Sequence, residues 1–452
     1  MTTPSTGISK AKLVGFVALA GPITAATAPI ASYLPAFYSE HLGLSLASVG
    51  LLFFSMRALD FFFDVLAGVL IDRRPFAGGK YQPWLILGLL ALLAGVWILY
   101  TPPRQWVSVQ LAFLGGALLY LGFSFVSIAH QAWSSALSRN SDDRVAIFGY
   151  REIAVIVGIL GIFLTPAVAE RVYHADFETK VHVIGYALLI AIAITGVISL
   201  WSVRGKDERN LPGQQHDAAH SRHVTLASVG RVLRDPTVIK TVFLFMLAFF
   251  ALVSSASMMS FLVKGMFGKP DLVAQMQGVY FIAAMASIFL WLRMGKRFGE
   301  WGTLRVSTLT AIAAQLSVLI PLYGGSTWML FLHFALTGAH FGAAPFLLRS
   351  LLGRIGQHMA NEQGTDMQGI LFSTGVFAEK IGSSIAVLFA FLMLGWLGFN
   401  PGNSTDPATH GALLGVYLAL PIGAYTLMSL IFMMRRPLAE AGGSRPAPNA
   451  LA

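Results

Sequence analysis

Cysteine is absent from this chain of 452 residues, and charged residues make up only 12% of it. The absence of cysteine excludes disulfide bonds, thiolate metal ligands and thiol nucleophiles. Soluble domains carry about 25% charged residues, so the charged fraction also argues against an ordinary soluble globule. Hydrophobic residues, by contrast, make up 56% of the chain. This composition is typical of a polytopic membrane protein.

Other absences exclude whole classes of function. The sequence has no phosphate-cradling loop, Walker sequence or dinucleotide fingerprint, so the chain alone is not expected to be driven by ATP. It has no convincing pair of nucleophile and base, so we expect neither an enzyme nor a cofactor other than a coupling ion. The net charge of +10 would suit a nucleic-acid binder. However, the basic residues lie in short segments between apolar stretches, where the positive-inside rule accounts for them.

Twelve apolar stretches are each near or above the roughly 20 residues that a helix needs to cross a bilayer. They cover residues 12–38, 46–71, 82–101, 107–138, 145–169, 182–203, 237–264, 272–295, 302–323, 327–354, 366–398 and 410–434. We expect helices, because lipid offers no partner to an unpaired backbone amide. The predicted fold is therefore an all-α polytopic membrane protein with twelve transmembrane helices in two six-helix halves.

A polar segment separates the two halves and defines the predicted domains. They are an N-terminal six-helix bundle at 1–203, a cytoplasmic linker at 204–236, a C-terminal six-helix bundle at 237–436 and a disordered cytoplasmic tail at 437–452. Placing the N-terminus in the cytoplasm puts 24 of the 31 Lys and Arg residues inside, five outside and two within spans. This asymmetry predicts a multi-pass protein of the cell inner membrane with both termini in the cytoplasm.

Three charged residues lie inside the second apolar stretch. Arg57, Asp60 and Asp64 follow one another at spacings of three and four, so they share one helix face. A carboxylate at the centre of a membrane helix costs about 2.5–3.5 kcal/mol on insertion scales. Two carboxylates on one face predict a buried polar site for a cation, a proton or a partner charge. The alternative is a static pair that holds helix packing, in which Arg57 neutralises one aspartate.

Motifs along the whole chain resemble one family of transporters. The motifs are Arg57-Ala-Leu-Asp60-Phe-Phe-Phe-Asp64, then Gly68 and Asp72, Gly79-Lys80-Tyr-Gln-Pro83-Trp84, Trp133-Ser-Ser-Ala-Leu with Arg139, Asp143, Arg144 and Tyr150-Arg151, and Glu379-Lys380-Ile-Gly-Ser-Ser. Together with the split into six and six spans, they resemble the glycoside–pentoside–hexuronide:cation symporters of the major facilitator superfamily. The resemblance implies the fold of that superfamily and alternating access.

The resemblance also implies an activity and roles for particular residues. The activity is symport of a small polar solute, a sugar or glycoside, with Na⁺ or H⁺ as the coupling ion. Asp60 and Asp64 fall on the cation-coupling carboxylates, and Lys380 falls on the basic residue near that site. Trp133 and Arg151 fall on sugar-pocket positions. An interfacial anchor is the alternative for Trp133, and a local ion pair with Glu152 is the alternative for Arg151.

Further candidates come from polar residues within the spans. His130, in span 4, is expected either to bind substrate or to hydrogen-bond to another helix. Thr24 stands near the place where the family has an acidic residue in span 1, and helix packing explains it equally well. His340, in span 10, is predicted to face a central cavity. No metal site is expected beyond one for Na⁺, because two isolated histidines in span 10 do not make a ligand set.

Charges directly after span 2 have a different interpretation. Asp72 and Arg73 lie at the predicted cytoplasmic end of the span, where charge costs little. We expect them to form a gate or a cap, and the alternative is that they only determine topology. Arg57 is grouped with Lys380 as a coupling residue.

Departures from the family pattern leave the cargo open. Span 1 has no acidic residue between Leu13 and Ser39, and Ala129 stands where the family has a carboxylate in span 4. An organic anion or amphipathic solute is therefore an alternative cargo, with Arg151, His130 and Lys380 as positive or polar groups. A membrane sensor that does not transport is a third hypothesis. The expected partners are the solute, the cation and membrane lipid, for a protein that functions as a monomer.

Overall fold

The computed structural model of this protein is helical throughout most of the residues it describes. These residues are 10–30, 33–34, 37–73, 79–102, 104–138, 141–203, 230, 232–269, 272–324, 326–363, 367–399 and 407–433. The chain divides into two compact units. One unit consists of Met1–Thr225 with Gln363–Phe377, and the other of Leu226–Glu362 with Ala378–Ala452. The domain boundaries from the sequence stay a prediction, and the tail at 437–452 lies outside the described residues.

Seven helices of the first unit precede the polar linker. They are α1 (Lys10–Val17), α2 (Ala20–Ala25), α3 (Leu46–Arg73), α4 (Gln82–Tyr100), α5 (Val109–Ala136), α6 (Ser141–Tyr173) and α7 (Phe177–Ser202). The later helices are α8 (Pro236–Phe261), α9 (Val273–Leu316), α10 (Leu319–Gly324), α11 (Thr327–Phe341), α12 (Ala344–Gln363), α13 (Gln368–Trp396) and α14 (Pro407–Met433). Apolar side chains on the outer faces of these helices suit a lipid environment.

Ten segments among the described residues are long and apolar enough to cross a membrane. One of them, Gln275–Gly324, spans 50 residues and contains a kink. Helix α3 has 28 residues, which is enough to cross a bilayer, but it is not one of the ten. The all-α membrane fold is confirmed, and the count of twelve spans stays a prediction.

The first span is not the continuous helix that the sequence predicted over 12–38. Helix α1 ends at Val17, α2 ends at Ala25, and a 3₁₀ turn follows at Ala28–Ile30. Pro22 and Pro29 cause part of this irregularity, because proline has no amide hydrogen to donate to the preceding turn. The segment Lys10–Ile30 still qualifies as one span, so the error concerns its regularity.

Two breaks also interrupt the helices of the second unit. The helix labelled α9 is interrupted at Gly299, with φ 72° and ψ 172°, inside the loop expected between spans 8 and 9. Glycine adopts this backbone conformation without a steric penalty. Span 10 was predicted as one helix over 327–354, yet it breaks between Phe341 and Ala344. Pro345 lies in the first turn of the helix that follows this break, where proline is tolerated because the amide hydrogen that it lacks would have no partner within the helix.

Close helix packing fixes the position of α5 in the first unit. A Cβ atom on Gly122 would lie 2.3 Å from the backbone nitrogen of Leu92 in α4, so only glycine fits at this crossing. Nearby, the rings of Trp84 and Phe125 stack with centroids 5.1 Å apart. These contacts set the rotation and register of α5, and they thereby determine which of its side chains point towards α3.

Candidate cation and substrate sites

One face of α3 carries Met56, Asp60 and Asp64, which are spaced four residues apart. Met56 lies against Gly116 of α5, where an added Cβ atom would be 2.2 Å from its terminal carbon. Eight residues further along both helices, the Ser124 hydroxyl donates a hydrogen bond of 2.7 Å to Asp64 Oδ1. Because both contacts advance by the same number of residues, α3 and α5 run parallel in register along this face.

The two aspartates of α3 are shielded from solvent. Asp60 is 1% exposed, Asp64 0% and Ser124 1%. The shared register places Tyr120, midway between Gly116 and Ser124, level with Asp60. Two carboxylates and a serine hydroxyl are hard oxygen groups of the kind that alkali and alkaline-earth cations prefer. A proton requires only one of the carboxylates.

The predicted coupling residues lie at two places in the chain. The side chain of Arg57 lies outside the described residues, so its pairing with the aspartates stays a prediction. Lys380 is in the second unit, on α13, and is 9% exposed. The adjacent Glu379 accepts a hydrogen bond of 3.0 Å from Nη2 of Arg349 on α12. The coupling role of Lys380 also stays a prediction.

His130 and Trp133 form an aromatic cluster with Phe16 of α1. The His130 ring stacks on Phe16 with centroids 4.4 Å apart, and Trp133 meets Phe16 edge-on at 5.6 Å. His130 Nε2 lies 3.0 Å from the Phe16 carbonyl oxygen. Because a carbonyl oxygen only accepts, Nε2 must carry a hydrogen atom.

Two buried polar atoms remain in this cluster. His130 Nδ1 and Trp133 Nε1 have no hydrogen-bond partner among the described residues. Buried polar atoms in native proteins are nearly always satisfied, so a ligand or an ordered water is expected to complete them. Trp133 is only 3% exposed, which argues against an interfacial anchor.

Two further substrate candidates have different surroundings. Arg151, on α6, is 3% exposed and lies close enough to His130 to interact with it electrostatically. Thr24, on α2, donates a hydrogen bond of 2.9 Å to Ala20 of its own helix. The structure therefore places Arg151 within electrostatic range of His130, whereas the hydrogen bond of Thr24 is local. The substrate role of each stays a prediction.

His340, in the second unit, lines a small cavity. This cavity has a volume of about 10 Å³, room for roughly one water molecule, and it is bordered by Leu252, Ser255, Tyr280, Ala311, Gln315, Thr337, His340 and Tyr425. His340 Nδ1 is buried and has no hydrogen-bond partner within the described ranges. The structure thus places His340 beside this small cavity in its own unit, and its contact with substrate stays a prediction.

His333, seven residues before His340, belongs to a hydrogen-bonded network instead. Its Nδ1 lies 2.8 Å from the Ser317 hydroxyl, and its Nε2 lies 2.8 Å from the Tyr417 hydroxyl. Gln315 Nε2 donates to the Tyr417 carbonyl oxygen at 2.9 Å. This network connects α9, α11 and α14 without a formal charge. No group of three or more His, Asp or Glu side chains that could hold a metal occurs among the described residues.

Asp72, at the end of α3, is buried. It is 7% exposed, and its two oxygens accept hydrogen bonds from the Gly369 amide at 3.0 Å and the Ile370 amide at 2.7 Å. Lys80 Nζ lies 2.9 Å from Asp72 Oδ1. Both amides belong to the first turn of α13, whose positive helix end favours an anion. Arg73, the next residue, is half-buried.

Sequence reasoning missed several polar residues that the structure brings together. Ser124 gave no signal, because a serine in a membrane helix is common and its partner on α3 depends on the packing. Glu300 is 0% exposed, accepts a hydrogen bond of 2.8 Å from Ser350 and pairs with Arg354. It directly follows the Gly299 kink. In the sequence, the signal for it was a single acid next to a glycine in an otherwise basic segment.

Comparison with known proteins identifies the class of this protein. The family model for MFS/sugar transport proteins matches residues 15–440, so the chain belongs to that family of membrane transporters. Two solved transporters share its fold. The fucose:proton symporter of E. coli gives a TM-score of 0.65 at 13% identity over 94% of this chain and 97% of that one. A proton:xylose symporter gives 0.63 at 15% identity over 92% and 94%.

Curated relatives refine this class. The isoprimeverose transporter of Lactiplantibacillus pentosus is 22% identical over 89% of this chain and 84% of its own length. A putative glycoside/cation symporter of *Escherichia coli* is 21% identical over 88% and 85%. The glucuronide carrier protein homolog of *Escherichia coli* is 21% identical over 91% and 88%. The predicted membership of the glycoside–pentoside–hexuronide:cation symporter family is confirmed.

Proposed function

We infer that this protein is a cation-coupled secondary symporter that imports a sugar or glycoside. The observation that carries this function is the buried carboxylate pair of α3, in a chain of the sugar transport family. Asp60 and Asp64 are 1% and 0% exposed. Placing two such acids in the middle of the membrane costs several kcal/mol of insertion free energy. A role in ion binding explains why the helix keeps them better than a role in helix packing does.

Coupling follows if the cation and the solute each raise the affinity for the other. Binding of Na⁺ or H⁺ at Asp60 and Asp64 then favours the solute-binding state, and by linkage the solute favours the ion equally. Alternating access by movement of the two six-helix halves carries both across the membrane. Lys380 and Arg57 adjust the charge balance as the ion enters and leaves.

The solute contacts proposed for the first unit are Trp133, His130 and Arg151. The Trp133 indole offers an apolar ring face and a buried N–H, which suit one face and one hydroxyl of a sugar. His130 Nδ1 is a second buried atom that lacks a partner within the described part of the chain. His340 and Thr24 are proposed as further contacts.

Asp72 and Arg73 are the proposed gating residues. The two amide hydrogen bonds and the Lys80 ion pair hold the carboxylate of Asp72 at the start of α13. Because these contacts join the end of one span to the beginning of another, opening at this level requires them to break. Their release is therefore the proposed event that admits solvent from the cytoplasmic side.

The remaining assignments are part of the same proposal. The protein is a monomer in the cell inner membrane, with both termini in the cytoplasm. It has no enzymatic activity, cofactor or nucleic-acid partner, and Na⁺ or H⁺ is its coupling ion. The excess of Lys and Arg in the inner segments supports this orientation.

The test is solute accumulation by the purified protein in proteoliposomes. A panel of radiolabelled pentosides, glycosides and free sugars is offered with an inward Na⁺ gradient, an inward proton gradient or no gradient. We expect accumulation above the outside concentration with one gradient and only equilibration without it. Absence of accumulation for every solute with either gradient would contradict symport of sugars.

An organic anion is the second candidate cargo. Arg151 is buried beside the His130 cluster, and two relatives are named a glucuronide carrier protein homolog and a putative sulfoquinovose importer. Thermal stabilisation by uronates or sulfonates, but not by neutral glycosides, would support this cargo. Stabilisation by neutral glycosides alone would reject it.

A further inference from the structure

We propose that His130 and Trp133 bind hydroxyl groups of an uncharged solute, with His130 Nδ1 as the acceptor and Trp133 Nε1 as the donor of the hydrogen bonds. The inference rests on the proposed sugar symport and deepens it, because it assigns the chemical group that this site takes and excludes an anionic group there. Both residues lie on α5, and their side chains are 0% and 3% exposed. Neither of the two nitrogen atoms has a hydrogen-bond partner in the part of the chain that the structure describes.

The break in the first span sets the hydrogen-bonding character of His130. Because α1 ends at Val17, the Phe16 carbonyl lies in the last turn of the helix, where a carbonyl oxygen has no amide partner within its own helix. This oxygen accepts hydrogen bonds of 3.0 Å from His130 Nε2 and from the Ser199 hydroxyl of α7. A neutral imidazole ring carries one hydrogen, and Nε2 uses it here, so Nδ1 has a lone pair and accepts.

The two residues lie on one face of α5. Residues three apart are neighbours on a helix surface, and both rings contact Phe16, with centroids 4.4 Å and 5.6 Å away. One nitrogen atom accepts a hydrogen and the other donates one. A hydroxyl group does both, so a single hydroxyl or two adjacent hydroxyls of a sugar ring satisfy the pair.

An ionised carboxylate or sulfonate fits this pair poorly. Its oxygen atoms only accept hydrogen bonds, so one of them can pair with Trp133 Nε1, while His130 Nδ1 would face a lone pair instead of a hydrogen. Arg151 lies within electrostatic range of His130 and attracts an anion to this region, but its charge does not remove that mismatch. A buried site that is built to bind a hydroxyl discriminates against a group that cannot donate, because its own polar atoms are left unpaired.

The first measurement uses wild-type protein and analogues of one sugar. The probe is the sugar of the proposed panel that stabilises the purified protein most in detergent, and its affinity is taken from thermal stabilisation against ligand concentration. We expect one hydroxyl position at which the deoxy and the fluoro analogues both bind about tenfold more weakly, because fluorine cannot donate a hydrogen to Nδ1. A sulfate ester at that position should bind at least as weakly as the deoxy analogue.

Two substitutions of His130 assign the effect to one ring nitrogen. In His130→Gln the amide nitrogen reaches about as far as Nε2 and can donate to the Phe16 carbonyl, but the acceptor at Nδ1 is lost. In His130→Asn the amide oxygen reaches about as far as Nδ1, so the acceptor is kept and the bond to Phe16 is lost. We expect His130→Gln to bind the parent sugar about tenfold more weakly and the deoxy analogue equally weakly. His130→Asn should still distinguish the two ligands.

Two further variants complete the series. Trp133→Phe keeps an aromatic ring and loses the donor, so its affinity for the parent sugar should also fall about tenfold. His333→Gln is the matched control in the second unit, because His333 Nδ1 already lies 2.8 Å from the Ser317 hydroxyl. This variant should keep the wild-type affinity for the parent sugar and the wild-type ratio between the parent and deoxy affinities.

The outcomes separate this inference from the proposed function. If wild type binds the sugar but accumulates it with neither gradient, symport fails and the hydroxyl site stands. If wild type accumulates the sugar but His130→Gln keeps the wild-type ratio of affinities, the His130 assignment is overturned and a bound water accounts for Nδ1. If no sugar of the panel stabilises the protein or accumulates, both proposals fail.

The inference stays testable if His130→Gln does not fold. In wild type, equal affinities for the parent sugar and for all its deoxy analogues would overturn it. So would a sulfate ester that binds as tightly as the parent sugar at the position where the deoxy analogue is weakest. An affinity of Trp133→Phe that equals that of wild type would remove the donor from the site.

Discussion

The two units of the protein handle buried polarity in different ways. The first places two acids on one face of α3 and holds one of them with the Ser124 hydroxyl. The second connects its helices through a neutral network centred on His333 and Tyr417. Two of its ion pairs, Glu300 with Arg354 and Arg349 with Glu379, join α12 to neighbouring helices.

This contrast indicates that helix packing and ion chemistry are separate requirements. A neutral network satisfies buried donors and acceptors without a desolvated charge, so it stabilises a bundle at low cost. Buried carboxylates do the opposite, because they destabilise the helix unless an ion or a partner charge compensates them. We therefore expect substitutions in the first unit to change ion dependence and substitutions in the second-unit network to change stability.

The largest effect is expected for Asp64→Asn, which removes the charge and keeps the size of the side chain. Without an ionised carboxylate the cation cannot be coupled to the solute, so accumulation driven by a gradient should fall roughly 5- to 150-fold, the usual range of a coupling energy. Gradient-driven uptake and solute exchange in proteoliposomes measure this loss. Exchange without a gradient should persist.

The matched control is Asp176→Asn, at an aspartate that caps α7 by accepting the Thr179 amide at 2.9 Å. Asparagine caps helices about as well as aspartate, so this variant should accumulate solute like wild type. Equal accumulation by Asp64→Asn and wild type would contradict the expectation that the buried acids of the first unit, unlike the neutral network of the second, determine ion dependence.

The next effect concerns Asp72→Asn at the end of α3. Asparagine loses the charge that faces Lys80 and the start of α13, so the folded state should lose about 1.5–3 kcal/mol, as for hydrogen bonds between charged groups. Thermal unfolding in detergent and the uptake rate should both fall. Asp235→Asn is the control, because Asp235 only caps its own helix through the Thr237 amide. Unchanged unfolding of Asp72→Asn would argue against a latch.

A smaller effect is expected for Gly122→Ala at the crossing of α4 and α5. The added carbon would lie 2.3 Å from the Leu92 nitrogen, so the helices must separate. Overpacking of this kind costs about 1–3 kcal/mol. Because Ser124 moves with α5, Na⁺ activation should weaken as well. Gly161→Ala, with no atom within 4 Å of the added carbon, should change neither property.

The smallest effect is expected for Tyr417→Phe in the second unit. The variant loses the hydroxyl that lies 2.8 Å from His333 Nε2, at a cost of about 0.5–1.5 kcal/mol in unfolding free energy. The Na⁺ and pH dependence of uptake should not change. Tyr323→Phe, at a tyrosine that is 85% exposed, provides the comparison. A shifted Na⁺ dependence in Tyr417→Phe would show that the neutral network also takes part in coupling.

Residues whose environment is set by the bilayer were predictable from the sequence. The apolar runs and the excess of positive charge in the inner segments depend on local composition alone. Asp60 and Asp64 stood out for the same reason, because an acid in an apolar run is costly whatever surrounds it. The break in span 10 before Pro345 was harder to predict, since prolines are tolerated within many membrane helices.

The sequence by itself determined that the chain is a helical membrane transporter with acids on one face of its second span. It did so because the free energy of placing an apolar run or an isolated charge in the bilayer depends mainly on the lipid, and the lipid environment is the same for every span. Only the tertiary structure decided that Ser124 meets Asp64, that Asp72 meets the start of α13, and that His333 joins a network while His340 lines a cavity. These pairings depend on helix register, which close contacts between distant parts of the chain set, and no local pattern encodes that register.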